Sequence, residues 1–382
     1  MKHWPTRPLG DFVAKKSGPV NPSKVPDEVF DLYSIPAFDL GEPEARAGRE
    51  IGSAKQVVEE GDVLLSRIVP HIRRAWVVGE NRGRRLIGSG EWIVFRSSQL
   101  HPRFLRYFLV GDPFHARFMQ TVSGVGGSLL RAKATEVAKI ELPVPPLEEQ
   151  VRLVKLLDEA DVLRKLRTQA SRRMDRLIPA LFHEMFGDPT TNTKGWPTGL
   201  LGNLATIEAV LVDPRKEEFQ DLPHIGPDRI ERNSGKLMPI KSAKEDGLIS
   251  AKFLFDERDV LYSKIRPNLR KAALPESRGL CSADMYPVRP GLKLVREFLW
   301  AYLLTDHFTD RAVDLSARAN MPKLNRAQLN SIGAPVPPLP LQNKFAQRVT
   351  EIRELEAEQA ASRARLDALF HAMLDGAMEG TL

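Results

Sequence analysis

The sequence predicts an α/β (α+β) tandem repeat: two related globular lobes, each followed by a long helix, with the two helices pairing as an intramolecular coiled coil. Three observations carry this expectation. The chain resembles itself at an offset of 192 residues, with a few residues of drift in the middle, and such self-similarity is the mark of a repeat architecture. Each copy ends in Pro-Pro-Leu followed by a long glycine-free segment with apolar residues at alternating spacings of three and four. At 382 residues the chain exceeds the size at which one core keeps growing, and 42% hydrophobic residues are enough for each lobe to bury its own.

The first lobe spans 1–146. Its opening, Lys2, Trp4-Pro5-Thr6 and Leu9-Gly10, returns as Lys194, Trp196-Pro197-Thr198 and Leu201-Gly202 at the head of the second lobe, 196–338. Inside the lobes, the fourteen residues Asp62 to Ala75 match Asp259 to Ala272 at eight positions, among them Asp, Ser, Pro and Arg. Phe104-Leu105, Asp112 and Phe114 recur as Phe298-Leu299, Asp306 and Phe308. Each lobe mixes short β-like runs (56–66, 92–96, 253–263) with a helical stretch around 103–120. Their topology stays open.

The helices are expected at 147–186 and 339–376. Proline cannot continue a helix, so Pro145-Pro146 and Pro337-Pro338 set the starts, and Glu148-Glu149 sit favourably near the first N-terminus. The first apolar seam runs through Leu153, Leu157, Ala160, Leu163, Met174 and Leu177. The second, in the same phase, runs through Phe345, Val349, Ile352, Leu355, Leu366 and Leu369. A narrow seam must be buried against something, and the other copy is the simplest partner. Each helix should reach roughly 35 residues and about 50 Å. Pro179 should kink or end the first helix, whereas His371 stands at that position in the second. Between the first helix and the second lobe, 187–195 collects Gly, Pro, Thr and Asn as a linker does.

Composition removes several function classes. The longest apolar runs are far too short to cross a bilayer, and the first thirty residues have no signal-peptide pattern, so no membrane association is expected. One cysteine, Cys281, makes no intrachain disulfide and no thiolate cluster, which fits a cytoplasmic location and leaves out zinc fingers. The phosphate-cradling loop, the His-Glu-x-x-His zinc helix and the Pro-Pro-aromatic signature of amino-methyltransferases are all missing. No catalytic residue, metal ligand or cofactor site is therefore assigned. Pro227-Asp228 with Glu231 and Lys236 only faintly suggests a nuclease cluster, and its first-copy equivalent is lacking. The Gly124 to Gly127 run reads as a surface turn or as a loop approaching a DNA backbone.

Net charge is +7 and the isoelectric point is near 9.4, which permits nucleic acid as a partner. The candidate DNA-binding residues are the basic segments inside the repeat. In the first copy these are Ser66, Arg67, His71, Arg73 and Arg74 around Pro70. In the second they are Ser263, Lys264, Arg266, Asn268, Arg270 and Lys271 around Pro267. Arg and Lys donate to phosphates and to guanine O6 and N7, and Asn reads adenine. The copies differ where reading would demand it, Val69 against Arg266 and His71 against Asn268. Arg131 with Lys133, and Lys323 with Arg326, lie before each Pro-Pro helix as possible backbone clamps, and Arg82, Arg84 and Arg85 form a lesser group.

The double layout of a lobe followed by a Pro-Pro-Leu-x-x-Gln helix, with the junction Met185-Phe-Gly-Asp-Pro189 leading to Lys194-Gly-Trp-Pro197 and the ending from Leu369 to Leu382, resembles the specificity subunit of Type I restriction-modification systems. That resemblance implies two target-recognition domains separated by two antiparallel helices with pseudo-twofold symmetry, each domain reading half of a bipartite site on double-stranded DNA. It also implies that the helices dock DNA methyltransferase (modification) subunits and that restriction endonuclease/translocase subunits join. S-adenosylmethionine, ATP and Mg2+ would then belong to those partners. One departure is Pro340 in the second helix start, where the first copy has Glu148. Two other readings stand beside this one: a stand-alone DNA-modifying or DNA-cleaving enzyme with an unrecognised site, and a coiled-coil scaffold that binds only proteins.

Overall fold

The computed structural model describes residues 4–15, 19–124, 130–316 and 322–382. The chain forms two compact units, one made of 1–167 with 362–382 and the other of 168–361. Both are mixed α/β, of the α+β type.

In the first unit the buried strand Val63–Ser66 lies antiparallel between Ala75–Val77 and Trp92–Phe95. A second sheet orders Glu44–Ala47, Val29–Tyr33, Arg85–Gly88 and Gln56–Val57. The single β-like run expected over 56–66 is thus two strands, separated by a turn at Gly61, whose φ of 84° suits glycine. Likewise the helical stretch after 103 is two helices, Pro102–Val110 and Asp112–Gln120, with Gly111 between them and Pro113 in the first turn of the second. The entry strand closes the lobe by pairing with its exit strand, Thr6 opposite Pro143.

The second unit repeats these devices at offsets of 192 to 197 residues. Thr198 lies opposite Pro335, Val260–Ser263 is again a fully buried strand, and the helices Arg296–Leu303 and Asp306–Ser316 follow. Val260–Ser263 pairs with Met285–Pro290 and Ala272–Ala273, and a five-stranded sheet is added around Lys252–Phe255 and Gly279–Cys281.

The Pro-Pro-Leu-x-x-Gln motif has a physical meaning in both copies. Gln150 and Gln342 are wholly buried amides. The Oε1 of Gln150 accepts from the His101 amide at 2.7 Å while its Nε2 donates to the Gln99 and Pro145 carbonyls. Gln342 accepts from the Val295 amide at 2.8 Å and donates to the Lys293 and Pro337 carbonyls. Each glutamine thereby clips the first turn of its helix to the lobe before it.

The helices begin where the prolines put them, at Leu147 and Leu339. Pro340 is accommodated in the first turn, where its missing amide would have lacked a helical partner in any case. The first helix ends at Met174, earlier than Pro179 itself, and resumes as Leu177–Phe186. The proline ring excludes the carbonyl of Asp175, four residues back, so the break falls there. The last helix, Leu339–Glu379, is unbroken and slightly longer than expected.

The seam needs correction. In the first unit Leu153, Val154 and Leu157 share a core with Phe370, Leu374 and Ala377, and in the second Ile178, Phe182 and Phe186 share one with Phe345 and Val349. Leu153, Leu157, Phe345 and Val349 are buried as expected, and Met174, Ile352 and Leu366 are half-buried. Leu163, Leu177, Leu355 and Leu369, however, are 54%, 45%, 49% and 55% exposed. Within each unit the helical segments pack on the lobe as well as on one another, so the apolar stripe departs from a strict heptad seam. Polar pairs add to these helix contacts. In the first unit Arg164 meets Asp367 at 2.7 Å and Arg167 donates to Ser362 at 2.8 Å. In the second, Lys236 bridges Asp175 at 2.6 Å and Glu356 at 3.4 Å.

Candidate nucleic-acid interface

Each lobe ends its central buried strand in the same backbone knot. In the first copy the Ser66 amide donates to the Arg74 carbonyl (3.0 Å), Arg67 to Glu91 (3.1 Å), Ala132 to Arg67 (2.8 Å) and Val69 to Leu130 (3.3 Å). In the second the matching bonds run from Ser263 to Lys271 (2.9 Å), Lys264 to Asp284 (3.0 Å), Leu324 to Lys264 (2.8 Å) and Arg266 to Pro322 (2.8 Å). The serine hydroxyls close both knots, Ser66 onto Ile68 and Ser263 onto Ile265, each at 3.1 Å. Val69 and Arg266 share the left-handed conformation with φ of 48°, which costs a non-glycine residue roughly 1–2 kcal/mol. Two sequences that differ at the tip are held to one backbone path.

The knots sort the candidate residues. His71, Arg131, Lys133, Arg266, Asn268, Lys323 and Arg326 are exposed around them, and isolated bridges put Arg131 beside Ile68 and Lys323 beside Ile265. Ser66 and Ser263 are buried and serve the knot itself. Arg74 is also buried, held by two bonds of 2.9 Å to the Asp39 carboxylate, so its expected exposure to DNA is corrected. Arg73 pairs with Asp112 at 2.5 Å and donates to the Val110 carbonyl. Its counterpart Arg270 pairs with Asp306. Both aspartates open the second helix of their lobe, and the Arg73 guanidinium holds the Asp112 carboxyl below its ordinary range. These arginines therefore lock the loop to a helix N-terminus, where a carboxylate is favoured.

Lys264 turns inward over the rings of Tyr286 (4.7 Å) and Phe253 (5.8 Å), and burial lowers its pKa. Lys271 donates to the Pro227 carbonyl at 2.5 Å. Neither faces outward as a free charge. Arg84 and Arg85 pair with Asp31 and Glu28. Most of the Gly124 to Gly127 run lies outside the described residues. Pro227-Asp228, Glu231 and Lys236 do not converge, since Lys236 is engaged by Asp175 and Glu356 while Glu231 accepts from Ser234.

Sequence reasoning passed over the acids. Glu91 is half-buried between Arg67 Nε at 2.9 Å and Arg131 at 3.0 Å, and Asp284 lies 3.5 Å from Lys323. Deeper, the buried Asp62 is held by Arg96 at 2.7 Å through both oxygens, and Asp259 by Arg289 at 2.9 and 3.0 Å. The second pair had a signal, because Asp62 and Asp259 head the repeated fourteen residues. Among the described residues no group of three or more His, Cys, Asp or Glu is placed to hold a metal, and no helix is long and apolar enough to cross a membrane. Cys281 is fully buried and burial pushes its thiol pKa up.

No family model matches the chain. It is 34% identical over 193 residues to the Type I restriction enzyme EcoDI specificity subunit of Escherichia coli, a match covering 50% of this chain and 43% of that protein. It is 22% identical over 205 residues to the Type I restriction enzyme HindI specificity subunit of Haemophilus influenzae, covering 52% of this chain and 45% of the relative. Each match thus takes in less than half the length of the relative. Among solved structures, a chain described under complex assembly and conformational transition of the type I R-M system superposes with a TM-score of 0.66 at 22% identity, covering 99% of this chain and 98% of that one. The Type I restriction-modification system S subunit from M. genitalium gives 0.57 at 12% identity, with 98% and 96% covered. Over half its length the chain is similar in sequence to Type I specificity subunits, and over nearly all of it the fold is that of such an S subunit.

Proposed function

We propose that the chain is the DNA-recognition subunit of a Type I restriction-modification system, without a catalytic centre or cofactor of its own. Each lobe is a target-recognition domain for half of a bipartite site on double-stranded DNA, and the two long helices form an antiparallel spacer without a strict heptad seam. That spacer carries DNA methyltransferase subunits, with restriction endonuclease/translocase subunits joining them. Methyl transfer, ATP use and cleavage then belong to the partners, and the complex works in the cytoplasm.

The observation that supports this most is the repeated knot with unequal tips. Identical backbone bonds present Val69 and His71 in one lobe and Arg266 and Asn268 in the other. A duplicated scaffold with divergent donors suits the reading of two different half-sites, because base edges are distinguished by donor and acceptor pattern. Phosphate neutralisation by the exposed cations should supply most of the affinity.

The test replaces Arg266 and Asn268 together by alanine, since Arg73, Arg74 and Arg270 are tied to carboxylates and would report on folding. Selection from a randomised duplex pool should lose sequence preference in one half-site only, with roughly 1–3 kcal/mol lost per base contact. Equal loss in both halves, or none, argues against it. Methylation by the purified chain supplied with Mg2+, ATP and S-adenosylmethionine, without partners, would favour a stand-alone enzyme.

A further inference from the structure

At the first lobe's knot an acid sits where a DNA-binding surface would be expected to carry only bases. Glu91 accepts from Arg67 Nε and from an Arg131 Nη, one carboxylate oxygen to each. Its own carbonyl takes the Arg67 amide, so acid and arginine are fixed by main chain as well as side chain. The charge here is +1 in place of +2. Among the described residues the terminal Nη pair of Arg67 is left unspent, the edge that matches guanine O6 and N7. Asp284 is the second lobe's equivalent, but it is shorter and lies 3.5 Å from Lys323, while the Lys264 side chain turns inward over Tyr286.

Resting on the DNA-recognition reading, we propose that Glu91 is a specificity-determining residue. It holds Arg67 and Arg131 as directed donors to base edges and withholds them from indiscriminate phosphate binding. A loose arginine neutralises any phosphate, gaining affinity for every sequence alike. An arginine whose Nε is committed to a carboxylate has one preferred direction and less charge to spend on the backbone. Glu91 thus lowers non-specific affinity and raises discrimination. Asp284 does the same for Lys323 alone.

The test measures binding of the full chain to a random-sequence duplex by fluorescence anisotropy across a salt series. Glu91→Gln should tighten binding several-fold at low salt and steepen the plot of log affinity against log salt by about 1–2, as one or two more phosphates are neutralised. Asp284→Asn should steepen it by about 1 at most. The double variant Glu91→Gln with Arg131→Gln should return part of the slope, which a general loosening of the lobe would not do. Selection from a randomised pool should show Glu91→Gln blurring a single half-site. The proposal is overturned by an unchanged or shallower slope, by weaker binding to random DNA, or by equal blurring of both half-sites. A wild-type chain with no salt-dependent binding to DNA overturns the recognition reading and this one with it, whereas normal wild-type binding with an unaltered variant sinks this one alone.

Discussion

Tyr262 lies at the centre of a fully buried strand with its ring edge-on to Phe308 at 5.4 Å, yet among the described residues nothing hydrogen-bonds its hydroxyl. Burial of that hydroxyl raises its pKa, the sign of a polar atom held without compensation. The equivalent in the first copy is Leu65, which packs in the same strand position with no polar atom to satisfy. Tyr262→Phe keeps the ring contact and removes the stranded group, so it should raise stability by about 1 kcal/mol in urea or thermal denaturation. A destabilised variant would mean that the hydroxyl has a partner. Single residues were the least legible part of the sequence. The basic run around Pro70 was readable as a charged loop, but its carboxylate partners Asp39 and Asp112 lie 35 and 39 positions away from Arg74 and Arg73, and nothing local announces them. For the same reason Glu91 went unnoticed, being 24 residues from Arg67.

At the scale of elements, what is local in cause was legible. Helix starts follow from proline chemistry within a few residues, and both fell where Pro-Pro-Leu placed them. The glutamine of the motif was visible as a repeat, though its work as a clip needed the carbonyls of Gln99 and Lys293 from distant loops. The apolar seam was misjudged because its spacing says that a stripe must be buried but leaves its partner unnamed, and here the lobe competes with the other helix. Gln150→Leu therefore carries a definite expectation. It strands the His101 amide and two carbonyls in the interior, and should cost about 2–4 kcal/mol, chiefly by freeing the first turn of the helix. Hydrogen exchange at residues 147–153 should rise more than in the central strand Val63–Ser66. A uniform rise across the lobe would show that the clip acts on the core rather than on the joint.

For the whole molecule, the repeat in sequence and the compact units in space are not cut at the same places. The repeat divides the chain near residue 192, whereas the first unit is built from 1–167 together with 362–382. Sequence similarity records which segments repeat, and packing records which surfaces meet, so only the first could be read without coordinates. The last twenty-one residues therefore belong to the first unit and give its core Phe370, Leu374 and Ala377. Phe370 stacks under Arg164 at 4.3 Å and lies 6.2 Å from Tyr107, Leu374 packs into the same cluster, and Asp367 pairs with Arg164. Deleting 362–382 should expose Leu153 and Leu157 and remove the burial of Phe370 and Leu374, about 3–6 kcal/mol in all. Hydrogen exchange should then show lost protection in the helix Pro102–Val110 and in 147–167, residues distant in sequence from the deletion. The strand Val260–Ser263 and the helix Arg296–Leu303 should keep theirs, because Phe345 and Val349 still cover that core. Loss confined to the residues just before the cut would show that the terminal segment is an appendage and that the first lobe closes its core alone.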